Sequence, residues 1–143
     1  PATQYYYALY DGDRLVAVEI GSGRLAWEYR NDRPGGAFFS SAAVSAQRVV
    51  VGSREGRVHC LDVLTGAVLW TYEAGAAVDS SPVIGGDGVV FGTAAGRLTA
   101  LSLRDGRERW SYEVGEPIVS SPAVAAGLVV VGCDDGRLYA FGE

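Results

Sequence analysis

The chain has 143 residues, 48% of them hydrophobic, with 20 glycines and a net charge of −5; this is the composition of an ordered, turn-rich β domain and excludes a disordered tail. The acidic balance and the lack of any arginine stripe exclude nucleic acid as a partner, because phosphate binding rests on clustered basic side chains that release counterions. No apolar run is long enough to cross a bilayer and no segment has the order of a signal peptide, so membrane insertion is not expected.

In chain order, the first unit runs from Tyr6 to Trp27, YYALYDGDRLVAVEIGSGRLAW. It reads as three short strands, here B, C and D, separated by turn residues. Residues around Asn31 to Gly36 follow, and then the Ser40/Ser41 pair, after which strand A is expected. The segment VVVGSREGRVHCLDVLTGAVLW (Val49 to Trp70) repeats the first unit at a displacement of 43, whereas VVFGTAAGRLTALSLRDGRERW (Val89 to Trp110) repeats it again at 40. The serine pairs Ser40/Ser41, Ser80/Ser81 and Ser120/Ser121 keep the 40-residue step, which places a three-residue insertion between Trp27 and Ser40. Strand A follows each pair, as in Pro82-Val83-Ile84 and Pro122-Ala123-Val124. Strand B is the Val-Val-Val-Gly type of run, whose continuous apolar character predicts burial on both faces. Turns such as Arg54-Glu55-Gly56 and Asp134-Asp135-Gly136 lead to strand C, and a second turn ending in Gly23, Gly66 or Gly106 leads to strand D. The last unit stops at Tyr139-Ala140-Phe141-Gly142-Glu143, before a strand D.

One four-stranded meander cannot bury its apolar faces alone, so consecutive copies must stack, and radial stacking of 40-residue units predicts a β-propeller. The fold class is therefore all-β: a propeller of four-stranded antiparallel blades, about three and a half in this chain. The blade boundaries are a partial blade at 1–36, blades at 37–76 and 77–116, and a partial blade at 117–143. Rings need at least four blades, and an open arc exposes apolar faces and strand edges. We therefore expect either self-association or the remaining blades of a longer parent. The absence of methionine and the start at Pro1 likewise suggest a processed piece.

The series Ala17-x-Glu19-x-x-Ser22-Gly23-x-x-x-Trp27, Cys60-x-Asp62-x-x-Thr65-Gly66-x-x-x-Trp70 and Ala100-x-Ser102-x-x-Asp105-Gly106-x-x-x-Trp110 resembles the tryptophan-docking motif of pyrroloquinoline-quinone (PQQ) type propeller repeats. With the serine pairs and the VVVGCDDGRLYAF string, the resemblance covers nearly the whole chain. Glu19 and Ser102 depart from the motif's aspartate, and Ala42 stands where proline usually follows the serines. The resemblance implies that Trp27, Trp70 and Trp110, with Gly23, Gly66 and Gly106, join neighbouring blades.

Quinoprotein dehydrogenases of this family hold PQQ with calcium, carboxylate and amide ligands and a catalytic aspartate, and some carry a disulfide between adjacent cysteines. None of these sets can be picked out here. Cys60 and Cys133 stand at repeat positions occupied elsewhere by Ala100 and Thr93, which makes them small structural thiols. His59, opposite in direction to Cys60, is expected to face outward, and the Asp134-Asp135 turn aligns with turns that lack ligands. The expected function is thus a non-enzymatic scaffold, with no catalytic residue, cofactor or metal, that presents a face to a protein partner or a small ligand. A fragment of a quinoprotein dehydrogenase and a sensor region attached to a kinase are the alternatives. The resemblance points to a periplasmic or extracellular setting, with the cytoplasm left open. The D–A and B–C connections of a propeller share one face, which carries Arg30, Asn31, Asp32 and Arg33 in the longest loop, then Arg54, Glu55, Asp79, Glu116, Asp134 and Asp135; these are the candidate partner-binding residues. One of Phe38 and Phe39 should be buried, since consecutive strand residues point opposite ways.

Overall fold

The computed structural model describes residues 5–10, 12–125, 127–133 and 136–142. Four antiparallel sheets follow one another along the chain. The first contains β1 (Tyr5–Tyr10), β2 (Arg14–Glu19) and β3 (Leu25–Arg30). The second and third have four strands each: β4 (Ala43–Val44), β5 (Arg48–Gly52), β6 (Arg57–Asp62) and β7 (Val68–Glu73), then β8 (Val83–Gly85), β9 (Gly88–Gly92), β10 (Arg97–Ser102) and β11 (Glu108–Glu113). The fourth comprises β12 (Ala123–Ala125), β13 (Leu128–Gly132) and β14 (Leu138–Phe141). Within each sheet, spatial order follows chain order. The chain is an all-β partial propeller, and no helix among the described residues is long and apolar enough to cross a membrane.

Alternation along the inner strands shows how the blades stack. In β5, Val49 and Val51 join a core with Leu15, Ala17 and Trp27 from the first sheet and Phe38 from the connection that follows it, while Val50 turns the other way into a core with Val89, Phe91 and Leu101 of the third. A period of two thus feeds two separate seams from one strand. That is why the inner strand β5 is buried at every position after Arg48, whereas the outer strands β3 and β7 are buried mainly at the tryptophan.

Each seam is clasped by an indole. Trp27 Nε1 donates to the carbonyl of Val63 in the next blade at 3.0 Å, and Trp70 Nε1 donates to Leu103 at 2.9 Å. The rings lie on glycines: a Cβ on Gly66 would fall 2.6 Å from the Trp27 ring, and one on Gly106 would fall 2.5 Å from the Trp70 ring. Both glycines also have φ near +75°, so close approach and backbone conformation select the same residue. Opposite each tryptophan stands a small residue, Ala17, Cys60 or Ala100, next to a register shift between strands C and D. Trp110 makes a looser contact, 38% exposed and tilted against Phe141 with centroids 6.1 Å apart, and Gly23 has open space above it.

The two serines of each pair have different tasks. Ser40 Oγ accepts from Gly52 N–H at 3.0 Å and Ser80 Oγ accepts from Gly92 N–H at 2.8 Å, both inside one blade. The second serine bridges blades: Ser41 N–H donates to Ser81 Oγ at 2.8 Å, and Ser81 N–H donates to Ser121 Oγ at 3.1 Å. This row of hydrogen bonds ties consecutive blades together at the innermost strands, where β8 lies beside both β4 and β12.

Replacing Trp70 by Ala removes a buried ring and its hydrogen bond, and is expected to cost about 3–5 kcal/mol. The half-exposed Trp110 should cost clearly less. Equilibrium unfolding in urea measures both, and equal losses would contradict the clasp.

Candidate functional site

The turns between strands B and C and the connections between D and A lie on one face. The Arg54 amide donates to Ala37 O at 2.9 Å and the Ala94 amide to Ala77 O at 2.9 Å, so each B–C turn is anchored to the connection leading into its own blade. Over the seam between the first two blades this face carries a polar cluster that the repeat does not predict.

Asn31 is its centre. The residue follows β3 directly and is 4% exposed. Its Nδ2 donates to Gly36 O at 3.0 Å and to Glu55 Oε1 at 3.1 Å; its Oδ1 accepts from the Arg33 amide at 3.1 Å and from Arg57 Nη2 at 2.5 Å. One buried side chain therefore closes the inserted loop upon itself and fastens it to the next blade. Gly36 is required at the loop's end, because a Cβ there would lie 2.3 Å from Asn31 Nδ2. Arg57 Nε pairs with Glu55 Oε1 at 2.5 Å, and Arg33, further along the loop, reaches Glu73 of β7 at 2.8 Å.

His59 and Tyr29 continue the cluster inward. The Tyr29 hydroxyl lies 2.9 Å from His59 Nδ1, and Ser53 Oγ lies 2.9 Å from His59 Nε2. Ser53 also donates to Glu55 Oε2. One assignment satisfies every group: Tyr29 O–H donates to Nδ1, Nε2–H donates to Ser53, and Ser53 O–H donates to the carboxylate. His59 is completely buried and edge-on to Phe38 at 5.3 Å. The expectation of an outward-facing His59 is thus corrected. It does point away from Cys60, but blade stacking buries both faces of strand C, and Cys60, on the other face, has its thiol pushed up to about 12 by burial. Burial, with help from the Arg57 charge, pulls His59 down to about 4. Glu55 is pushed up by burial, yet hydrogen bonds from Ser53, Arg57 and Asn31 outweigh this and bring it to about 2.

Of the expected binding residues, Asn31, Asp32, Arg33 and Glu55 meet at this seam, Asp32 lying 3.7 Å from Arg57. Asn31 and Glu55 are largely committed to holding the loop, while Asp32 and Arg33 remain outward. Arg30 is the last residue of β3 rather than a loop residue, and is exposed. Arg54 makes two hydrogen bonds to Asp79, at 3.1 and 3.2 Å, and its guanidinium sits 4.8 Å from the centroid of Phe39. Phe38 is the buried member of its pair and Phe39 is 60% exposed, although both lie outside any strand and the connection, not strand alternation, separates them. Glu116 lies further round, with its backbone 2.8 Å from where a Cβ on Gly96 would stand. Asp134 and Asp135 lie outside the described residues. Sequence reasoning missed Tyr29, Ser53 and Arg57; the one available signal was that Glu55 and His59 fall in the repeat directly after the insertion.

The sequence model described as outer membrane protein assembly factor BamB matches residues 11–142. The chain belongs to the BamB family. BamB from Moraxella catarrhalis superimposes with a TM-score of 0.83 at 26% identity, over 99% of this chain and 43% of that one. The present chain therefore spans less than half the length of that relative. A computationally designed protein, Ika4, matches with a TM-score of 0.86 at 17% identity over 99% of this chain and 87% of its own. A europium-containing methanol dehydrogenase matches at 0.65 and 17% identity, over 78% of this chain and 23% of that enzyme. These last two likenesses bear on the fold alone. No curated protein matches the chain.

The described residues of this BamB-family chain do not assemble the donors of a quinone and metal centre. Among the described residues no group of three or more His, Cys, Asp and Glu side chains is placed to share a metal ion. A cavity of about 690 Å³ between the third and fourth blades is walled by glycines and by Trp110, Tyr112, Val124, Val129 and Phe141, with no carboxylate among its described lining residues.

The shifted groups make stability depend on pH. Between its ordinary value of 6.5 and about 4, His59 takes up a proton in the unfolded chain but not in the folded one, so stability falls as pH drops through that window. Glu55, ordinarily 4.5 and here about 2, adds a second loss as pH falls between those values. Urea midpoints measured from pH 7.5 downward should show both losses, and His59→Thr should remove the upper one only.

Proposed function

We propose that the chain is a non-enzymatic propeller scaffold whose loop face over the first seam docks a protein partner, in the assembly of outer membrane proteins for which its family is named. The observation that carries this reading is the inserted loop. It is held from beneath by Asn31 and so costs little to order on binding. Beside it Phe39 stands 60% exposed under Arg54, the pairing of aromatic and arginine that dominates protein interfaces. A periplasmic or extracellular location goes with this reading. The methanol dehydrogenase likeness is distant, so the quinoprotein alternative is not favoured.

The remaining blades of a longer parent, or a second copy, are proposed to cover the far side of the fourth blade. Leu128 and Leu138 stand 45% and 78% exposed there.

Photoreactive residues at Arg33 and at Phe39, placed in the full-length parent in its own cells, should crosslink to a component of the outer-membrane assembly machinery. The same probe at Leu64, on the opposite face, should not. A Phe39→Ala/Arg54→Ala double variant should lower the yield at Arg33 at least tenfold with an unchanged unfolding midpoint. Equal crosslinking from both faces, or none from Arg33 and Phe39, would refute the reading.

A further inference from the structure

The second seam lacks the polar cluster of the first, and the internal repeat shows that a join between blades does not require it. The amides of Asn31, Ala74 and Val114 make the same backbone hydrogen bond, to Asp13, Gly56 and Gly96 respectively, so these three positions correspond. Where the first seam has Asn31, Glu55 and His59, the second has Ala74, Ala95 and Thr99. Arg97, the counterpart of Arg57, turns instead to Glu113 and Ser111 of its own blade, at 3.2 and 2.7 Å. Its Nε is buried without a partner among the described residues. Tyr72, the counterpart of Tyr29, donates to Glu108 at 2.8 Å and meets Phe91 edge-on.

The apolar part of each seam is, by contrast, interchangeable. Both tryptophans rest on a glycine and donate to a carbonyl, Val63 in one case and Leu103 in the other. Nothing in the clasp tells one blade from another. A chain of near-copies is exposed to misassembly, because any blade can stack on the wrong neighbour or on a blade of another chain.

We infer that the Asn31–Glu55–Arg57–His59 cluster is a pairing code that admits the first blade onto the second and rejects the third in its place. Asn31 and Tyr29 come from the first blade; Ser53, Glu55, Arg57 and His59 come from the second, and the hydrogen bonds between the two sets cross the seam. Were the first blade to stack on a third, Asn31 would meet Ala95 in place of Glu55, and Tyr29 would meet Thr99 in place of His59. Were a second blade to stack on another second blade, Ala74 would offer nothing to Glu55 and Arg57. Each wrong join buries polar groups without partners, which costs more than the right join gains. A single buried polar residue sets register in coiled coils by the same asymmetry.

The discriminating quantity is the difference between the seams, so erasing it from either side should have the same effect. The Asn31→Ala/Glu55→Ala/His59→Thr variant writes the second seam into the first. The Ala74→Asn/Ala95→Glu/Thr99→His variant writes the first into the second. Each set of substitutions is placed in the full-length parent, which is unfolded in denaturant, refolded by dilution over a hundredfold range of concentration, and passed through size exclusion with light scattering. The unaltered chain should return to one mass at every concentration, whereas both variants should give several masses, with at least tenfold more material outside the main species. If the first variant does not fold, the second decides alone, since it removes no polar partner. A single mass from the second variant, or several masses from the unaltered chain, would overturn the inference.

Discussion

A sheet of four short strands has two apolar faces and no thickness with which to hide them, and each must be covered by another sheet. In this chain the cover is secured at the outer rim by an indole laid on a glycine, with its N–H on a carbonyl of the same neighbouring turn. The other repeated features answer to that contact. The small residue opposite each tryptophan makes room for the ring, the register shift turns the outer strand over the seam, and the serine bridges hold the inner rim where no indole reaches. The clasp is short-range and needs no side chain from the neighbour except the absence of one, so it can be copied from blade to blade.

What can be copied cannot discriminate. The first seam departs from the second by adding buried polar groups that bond across the join, and by an inserted loop that Asn31 folds back over it. The loop and the cluster are one construction: the side chain that orders Asp32 and Arg33 for solvent is the side chain that bonds Glu55 and Arg57. The shape of the loop and the join between the blades thus share a buried amide. Its perturbed groups, His59 and Glu55, are shifted by burial and by the hydrogen bonds and charges within the seam.

The repeat made much of this legible. The 40-residue step, the glycine turns and the tryptophan motif are local features, and they carried the strand order and the family. Exposure of Phe39 and burial of Phe38 could be anticipated only as an alternative between the two. His59 was misread for a definable reason: alternation says that it points away from Cys60, but only the stack says that both directions lead indoors. Arg57 looked like any arginine restarting a strand, as Arg97 does, until a partner blade placed Asn31 against it.

The sequence by itself determined the strands, their turns and the need to stack, because periodicity and glycine chemistry act over a few residues and recur in each copy. Tertiary structure alone decided which side chains meet across a join. Asn31 and Glu55 are separated along the chain by a connection and two strands, and their bond exists only once two blades are laid together. Burial, hydrogen-bond partners and proton affinity at this seam are properties of that contact between sheets, and no single repeat contains them.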